Sequence, residues 1–210
     1  MITLQITDSL SVIQKNVNEA IAQVINDKIS KTQNKIVADC KSAASSWILS
    51  QPEIQSLSSS SPESLAGQLG IPQSLVGGII SSIENAVVNS ISIRFIQYSK
   101  NLKGGLEIYF QPSDFFNLLS LPAGHVIYKG GDLHWLDWLL KRGDNVIVAN
   151  YQYNPKTGLG RSGLGNMVLG GSFRIPPQFS GTDSNNFITR ALIGTDQENT
   201  ISRIIQRALA

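Results

Sequence analysis

The order of its hydrophobic periodicities predicts an α+β fold: a long N-terminal helix and a helical pair, then a small antiparallel β-meander with short helices and a C-terminal helix. Three observations carry this. Apolar residues recur at helical spacing over residues 9–50. The period then drops to two near residue 91, and Asn, Gly and Pro punctuate short β-rich runs from there on. Strands and helices do not alternate regularly, which separates this pattern from a βαβ fold.

In the first helix, Leu10, Ile13, Val17, Ile21 and Val24 step by three and four, and Ile29, Ile36, Cys40, Ala43 and Trp47 roughly continue the stripe. Ser11 to Gln14 fits a capping box near its start. The run SLSSSSPES, residues 56–64, reads as a hinge, because serines bury little apolar area and offer the backbone competing hydrogen bonds. It would separate an N-terminal helical segment (1–55) from an α+β domain (65–210). Ser61-Pro62-Glu63 signals a helix start, Gly70 a stop, and Pro72 a second helix carrying Leu75, Ile79, Ile83, Ala86 and Val87. Gly77-Gly78 inside that helix suggests close packing by a neighbour.

Ile91, Ile93 and Phe95 alternate, as do Leu106, Ile108 and Phe110, across the turn SKNLKGG, which predicts a hairpin. DFFNLLSLP is a short helix or turn, and HVIYKGG holds a short strand. The next helix runs from Asp132, as its cap, to Gly143, with Leu133, Leu136, Leu139 and Leu140 on the core face. DNVIVANYQY is a strand. FITRAL is a short helix capped by Asp183 or Ser184, and Thr195 to Glu198 is a capping box for the last helix, whose Ile201, Ile204, Ile205 and Leu209 share a face.

Composition narrows the function. Of 210 residues 41% are hydrophobic and only 15% charged, so the surface relies on Ser, Asn, Gln and Thr, a composition that suits burial against partners. A net charge of +2 is too small to argue for nucleic acid by itself, and the single cysteine excludes an internal disulfide and a cysteine-based zinc site. No apolar run approaches the roughly 20 residues of a membrane span, and MITLQITDSL has neither the basic start nor the apolar stretch of a signal peptide, so synthesis in the cytoplasm is expected.

No motif yields a catalytic set. GLGRSGLG contains Gly158, Gly160 and Gly163 in a formal G-x-G-x-x-G, but a dinucleotide loop must open a helix, and LGNMVLGGSF favours a strand. A loop or arm between two strands, residues 157–172, is the better reading. Asp132, His134 and Asp137 offer a small-ligand or metal face, and Trp135 with Trp138 offers a sugar-stacking or interface platform. Lys156, Arg161, Arg174, Arg190, Arg203 and Arg207 make the last sixty residues mildly basic.

The long N-terminal helix ahead of a small meander, the Gly/Arg-rich arm GLGRSGLGNMVLGGSFRIPPQF, and the ending NNFITRALIGTDQENTISRIIQRAL resemble the neck and tail-completion proteins of tailed bacteriophages. Phe187, Ala191 and Leu192 match that ending, while Asn stands where the family often has proline. The resemblance covers residues 130–210 and, loosely, the first helix. It implies a non-enzymatic structural virion protein without cofactor or metal. Such a protein forms a ring, often of six or twelve copies, at the head–tail junction, with portal or connector and tail terminator, sheath or tube proteins as neighbours and DNA in the channel as a further partner. The contacts expected of the arm are Leu159, Arg161, Leu164, Met167 and Phe173, with Trp135 and Trp138 beside them. The alternatives left open are a small-ligand binder or enzyme using the Gly-rich loop and Asp132/His134/Asp137, and a carbohydrate-binding virion module.

Overall fold

A computed structural model describes residues 8–128, 131–158 and 160–210. It is α+β, as predicted. Helix α1 spans Leu10–Leu49, α2 Pro52–Ser58, α3 Leu65–Leu69 and α4 Gln73–Ser90. Strands β1 (Ser92–Ile96) and β2 (Gly105–Tyr109) follow, then α5 (Phe116–Leu119), β3 (Val126–Tyr128) and β4 (Gly131–Leu133). Helix α6 (Trp135–Asp137) continues into a π-helical turn at Trp138–Arg142, ahead of β5 (Val148–Asn154), β6 (Asn166–Phe173), α7 (Phe187–Leu192) and α8 (Thr195–Leu209). The strands pair as three separate antiparallel hairpins, β1-β2, β3-β4 and β5-β6, rather than as one meander.

One hydrophobic cluster joins these parts. It runs from Ile36, Cys40 and Ile48 of α1, through Ile54 and Leu57 of α2 and Ile83 of α4, to Trp135, Leu139, Phe187 and Leu192. The cluster draws on residues from both sides of the Ser-rich stretch. The first residues of that stretch complete α2, and the Ser56 hydroxyl accepts the Leu65 amide at 3.0 Å. Ser64, rather than Ser61, caps α3 by accepting the Gly67 amide at 3.1 Å. Gly70 ends that helix in the left-handed region, φ 68°, as its position predicted.

Helix α1 is capped by Ser9, whose hydroxyl accepts the Val12 amide at 3.4 Å, so Ser11 lies inside the helix and the predicted capping box does not form. Its buried residues are Ala22, Ile29, Ile36, Cys40, Ala44 and Ile48, against α4, α7 and α8. Leu10, Val17, Ile21 and Val24 are exposed. The stripe read as continuous is thus two stripes, broken by the five-residue step from Val24 to Ile29. At about 100° per residue that step turns the chain by ~140°, onto another face.

Four further expectations are corrected. Asp132 lies in β4 and caps nothing: its carboxylate is 2.8 Å from His125 Nδ1, and the helix starts three residues later. Asn186, rather than Asp183 or Ser184, caps α7; its side chain accepts the Ile188 and Thr189 amides, each at 3.0 Å, and the Thr189 hydroxyl closes the box. Thr195 is the first residue of α8, and no side chain caps that helix. A Cβ added at Gly77 or Gly78 would meet no other part of the described chain within 4 Å, so close packing within the subunit does not explain them.

Candidate functional site

The β5-β6 hairpin carries the Gly-rich loop, and local chemistry folds that loop back rather than letting it project. Tyr153 is the centre. Its hydroxyl donates to the Pro62 carbonyl at 2.6 Å and accepts the Gly165 amide at 2.9 Å. Burial pushes the Tyr153 phenol above its ordinary pKa, which keeps the donating proton in place. Arg161 donates from Nε to the Gly70 carbonyl at 3.1 Å and from Nη1 to the Ile127 carbonyl at 2.7 Å. The buried Ser162 hydroxyl donates to the Gly67 carbonyl at 3.3 Å. Glycine is needed where the two segments meet: a Cβ on Gly67 would stand 2.7 Å from the Tyr153 hydroxyl and 2.8 Å from the Pro62 carbonyl. Gly160 and Gly165 likewise serve close approach, whereas Gly163 has open space around it and a φ of 78°.

This clasp walls one side of a cleft of about 840 Å³ bounded by α3, the β3-β4 and β5-β6 hairpins and α6. Phe173 lies at its base, 4% exposed, and Trp138, Tyr151 and Met167 line it. The mouth is apolar. Ile127 is 80% exposed, and Leu169, two residues from Met167 and paired with Tyr151, is 78% exposed on the same face of the hairpin. Large apolar side chains left in water around a concavity mark a binding surface.

The two carboxylates of the cleft are paired, while the buried His134 Nε2 has no hydrogen-bond partner among the described residues. Asp132 holds His125, and Asp137 holds Arg142, whose guanidinium sits 5.4 Å above the Trp138 ring. The His125 and His134 rings stack with centroids 4.0 Å apart. Burial, and then the neighbouring His125, push the His134 pKa below its ordinary value, so a neutral imidazole is favoured. Asp132, His134 and Asp137 all line the cleft, but among the described residues no group of three His, Cys, Asp or Glu side chains is placed to hold a metal ion.

Of the residues anticipated as contacts, the cleft gathers Arg161, Met167, Phe173 and Trp138. Arg161 and Phe173 are spent on the fold, one in clasping hydrogen bonds and one in the core. Leu164 is half-buried, its side chain near Gly67. Trp135 is fully buried, so the two tryptophans form no surface platform for a sugar or a partner. Leu159 lies outside the described residues. Sequence reasoning missed Ile127, Tyr151 and Leu169; the alternation of Tyr151 with Tyr153 and of Met167 with Leu169 was the available signal. The basic residues are largely engaged as well: Arg190 pairs with the buried Glu53, Arg174 lies 3.9 Å from Asp144, and Arg203 bonds within its own helix.

Comparison with protein families, with curated proteins and with solved structures finds no match to this chain.

Proposed function

We propose that the chain is a structural, non-enzymatic virion subunit of a tailed bacteriophage, a ring-forming neck or tail-completion protein, and that the apolar cleft beside the Gly-rich loop receives the neighbouring subunit. The observation that carries the subunit reading is the exposure of Ile127, which lines the apolar cavity, and of Leu169, paired with the cavity-lining Tyr151. The cleft's two carboxylates, Asp132 and Asp137, are already engaged in ion pairs. A head-to-tail contact of one patch into a different patch generates a ring where its rotation closes, and a cleft that receives a different surface of the neighbour has that character. The phage assignment itself rests on the resemblance of the C-terminal third, where Phe187, Ala191 and Leu192 form the buried face of α7.

Membrane association is not part of this reading; among the described residues no helix is long and apolar enough to cross a bilayer. DNA, the portal or connector, and the tail terminator, sheath or tube remain the proposed neighbours, with the virion as the site of action.

The test is mass photometry with negative-stain microscopy of the purified chain across concentration. Closed rings should appear, and Ile127→Asp with Leu169→Asp should abolish them while circular dichroism stays unchanged. Rings that persist in the double variant would remove the cleft from the interface. A chain that forms no ring at any concentration, alone or with portal and tail-tube proteins, would end the neck assignment.

A further inference from the structure

The N-terminal half of α1 carries an apolar stripe that the other described residues leave largely exposed. Leu10, Ile13, Val17, Ile21 and Val24 lie on one face, and all but the half-buried Ile13 are exposed, Leu10 at 85% and Val24 at 69%. The core face is marked by Ala22 and Ile29. From Val17 to Ala22, and from Val24 to Ile29, is five residues, so the two faces lie ~140° apart around the helix. The elements flanking this part of α1 sit toward the core side: Asn26 exchanges hydrogen bonds with the Tyr98 backbone, and Glu19 pairs with Lys100. The stripe points away from the subunit.

Its spacing, three, four, four, three, is the same read from either end, with Val17 at the centre. A two-fold axis through Val17 therefore lays the stripe of one copy on that of another in antiparallel register: Leu10 against Val24, Ile13 against Ile21, Val17 against itself. Charge selects this direction. Lys28, Lys31 and Lys35 each follow Leu10, Ile13 and Val17 by eighteen residues, five turns, and so continue the same face. All three are exposed. Parallel pairing would align each lysine with its counterpart, and like charges in contact are costly. Antiparallel pairing carries each lysine run beyond the other copy's stripe, toward the end where Asp8 stands level with residue 26. Within the stripe the intervening Gln14 and the flanking Asn16 and Gln23 are neutral, so no repulsion opposes the contact.

We propose that this face is a self-association site, at which two copies of the chain pair antiparallel about Val17. The stripe spans only ~21 Å of helix. Such a strip buries less than the ~800 Å² per partner of a standard interface, so the pair is weak and concentration-dependent. It is independent of the cleft contact. A two-fold contact of a patch with itself closes at two copies, and added to a ring it would join two rings.

Cysteine cross-linking of the full chain under mild oxidation tests this; the native Cys40 is buried and does not compete. Val17→Cys should link to itself. Leu10→Cys and Val24→Cys should link to each other when mixed, with little self-linking of Leu10→Cys. Sedimentation should show reversible dimerisation, weakened at least about tenfold by Val17→Asp with helicity retained. Leu10→Cys linking to itself as readily as Val17→Cys would mean parallel pairing and overturn the proposal. A chain that stays monomeric to about 1 mM and does not cross-link would also overturn it, assigning the face to a different partner. Ile127→Asp should leave the Val17→Cys link intact, which keeps this test separate from that of the ring.

Discussion

The Gly-rich loop of residues 157–165 and the N-terminal half of α1 exchange the roles their sequences suggest. The loop has the composition of a flexible arm, yet it is tied to α3 and β3 through Tyr153, Arg161 and Ser162. The helix has the periodicity of a core element, yet its first four turns leave their apolar stripe in water. Composition and period describe what a segment is able to do; which contacts it makes depends on what the rest of the chain brings opposite.

The largest expected effect comes from breaking the clasp outright. Deleting residues 158–165 removes the Arg161, Ser162 and Gly165 hydrogen bonds together. At roughly 1 kcal/mol per bond, with more for charged donors, unfolding free energy should fall by at least about 3 kcal/mol in a denaturant titration. A free arm would be lost at no cost, so an unchanged midpoint would restore the arm reading. Gly67→Val probes the same junction from the other side. Its β-carbon would displace the Tyr153 hydroxyl and crowd the Pro62 carbonyl, for an expected loss of about 1–3 kcal/mol. Tyr153→Phe keeps the ring and removes the proton. It leaves the Pro62 carbonyl and the Gly165 amide without that partner, and about 1–2 kcal/mol should go.

How legible this was follows in part from sequence distance. Some signals within a few residues were read correctly, others not: Gly70 ends α3 and the first hairpin forms, with Ile93 facing Ile108 and Phe95 facing Leu106, whereas the capping boxes read at Ser11 and Thr195 do not form. The clasp was not legible, because Arg161 reaches Gly70 across 91 residues and Ser162 reaches Gly67 across 95. The Asp132 cap failed for a related reason. An aspartate before a helical run is a fair capping candidate, but His125, seven residues earlier, took its carboxylate once β3 and β4 paired. Asn186 gave no advance sign of its second role, donating to the Leu140 and Thr182 carbonyls while it caps α7. The break in the α1 stripe was visible as a five-residue step and needed only the helical angle to interpret it.

At the cleft wall His134 gives a smaller, pH-dependent effect. Its folded-state pKa is lowered by burial and by His125, so the unfolded chain binds the proton more readily. The contribution to stability is therefore complete above the unfolded value of about 6.5 and is lost as pH falls below it. Chemical denaturation at steps from pH 8 to about pH 5 should show that decline, and His134→Gln should flatten it. An unchanged slope would place the acid sensitivity elsewhere in the molecule.

The smallest effect is the sharpest for the comparison. Val17→Ser and Val24→Ser replace exposed apolar side chains on α1, and in dilute solution each should shift unfolding free energy by no more than about 0.5 kcal/mol. Polar substitutions at helix positions that packed into the core would cost several times more, since burying a valine is worth about 1.5–3 kcal/mol. Near-neutrality of the monomer, set beside loss of association in concentrated solution, would show that these valines are kept for a surface the single subunit does not possess. A loss of more than about 2 kcal/mol in dilute monomer would mean instead that the N-terminal half of α1 packs on its own chain, and the contrast with the clasped loop would disappear.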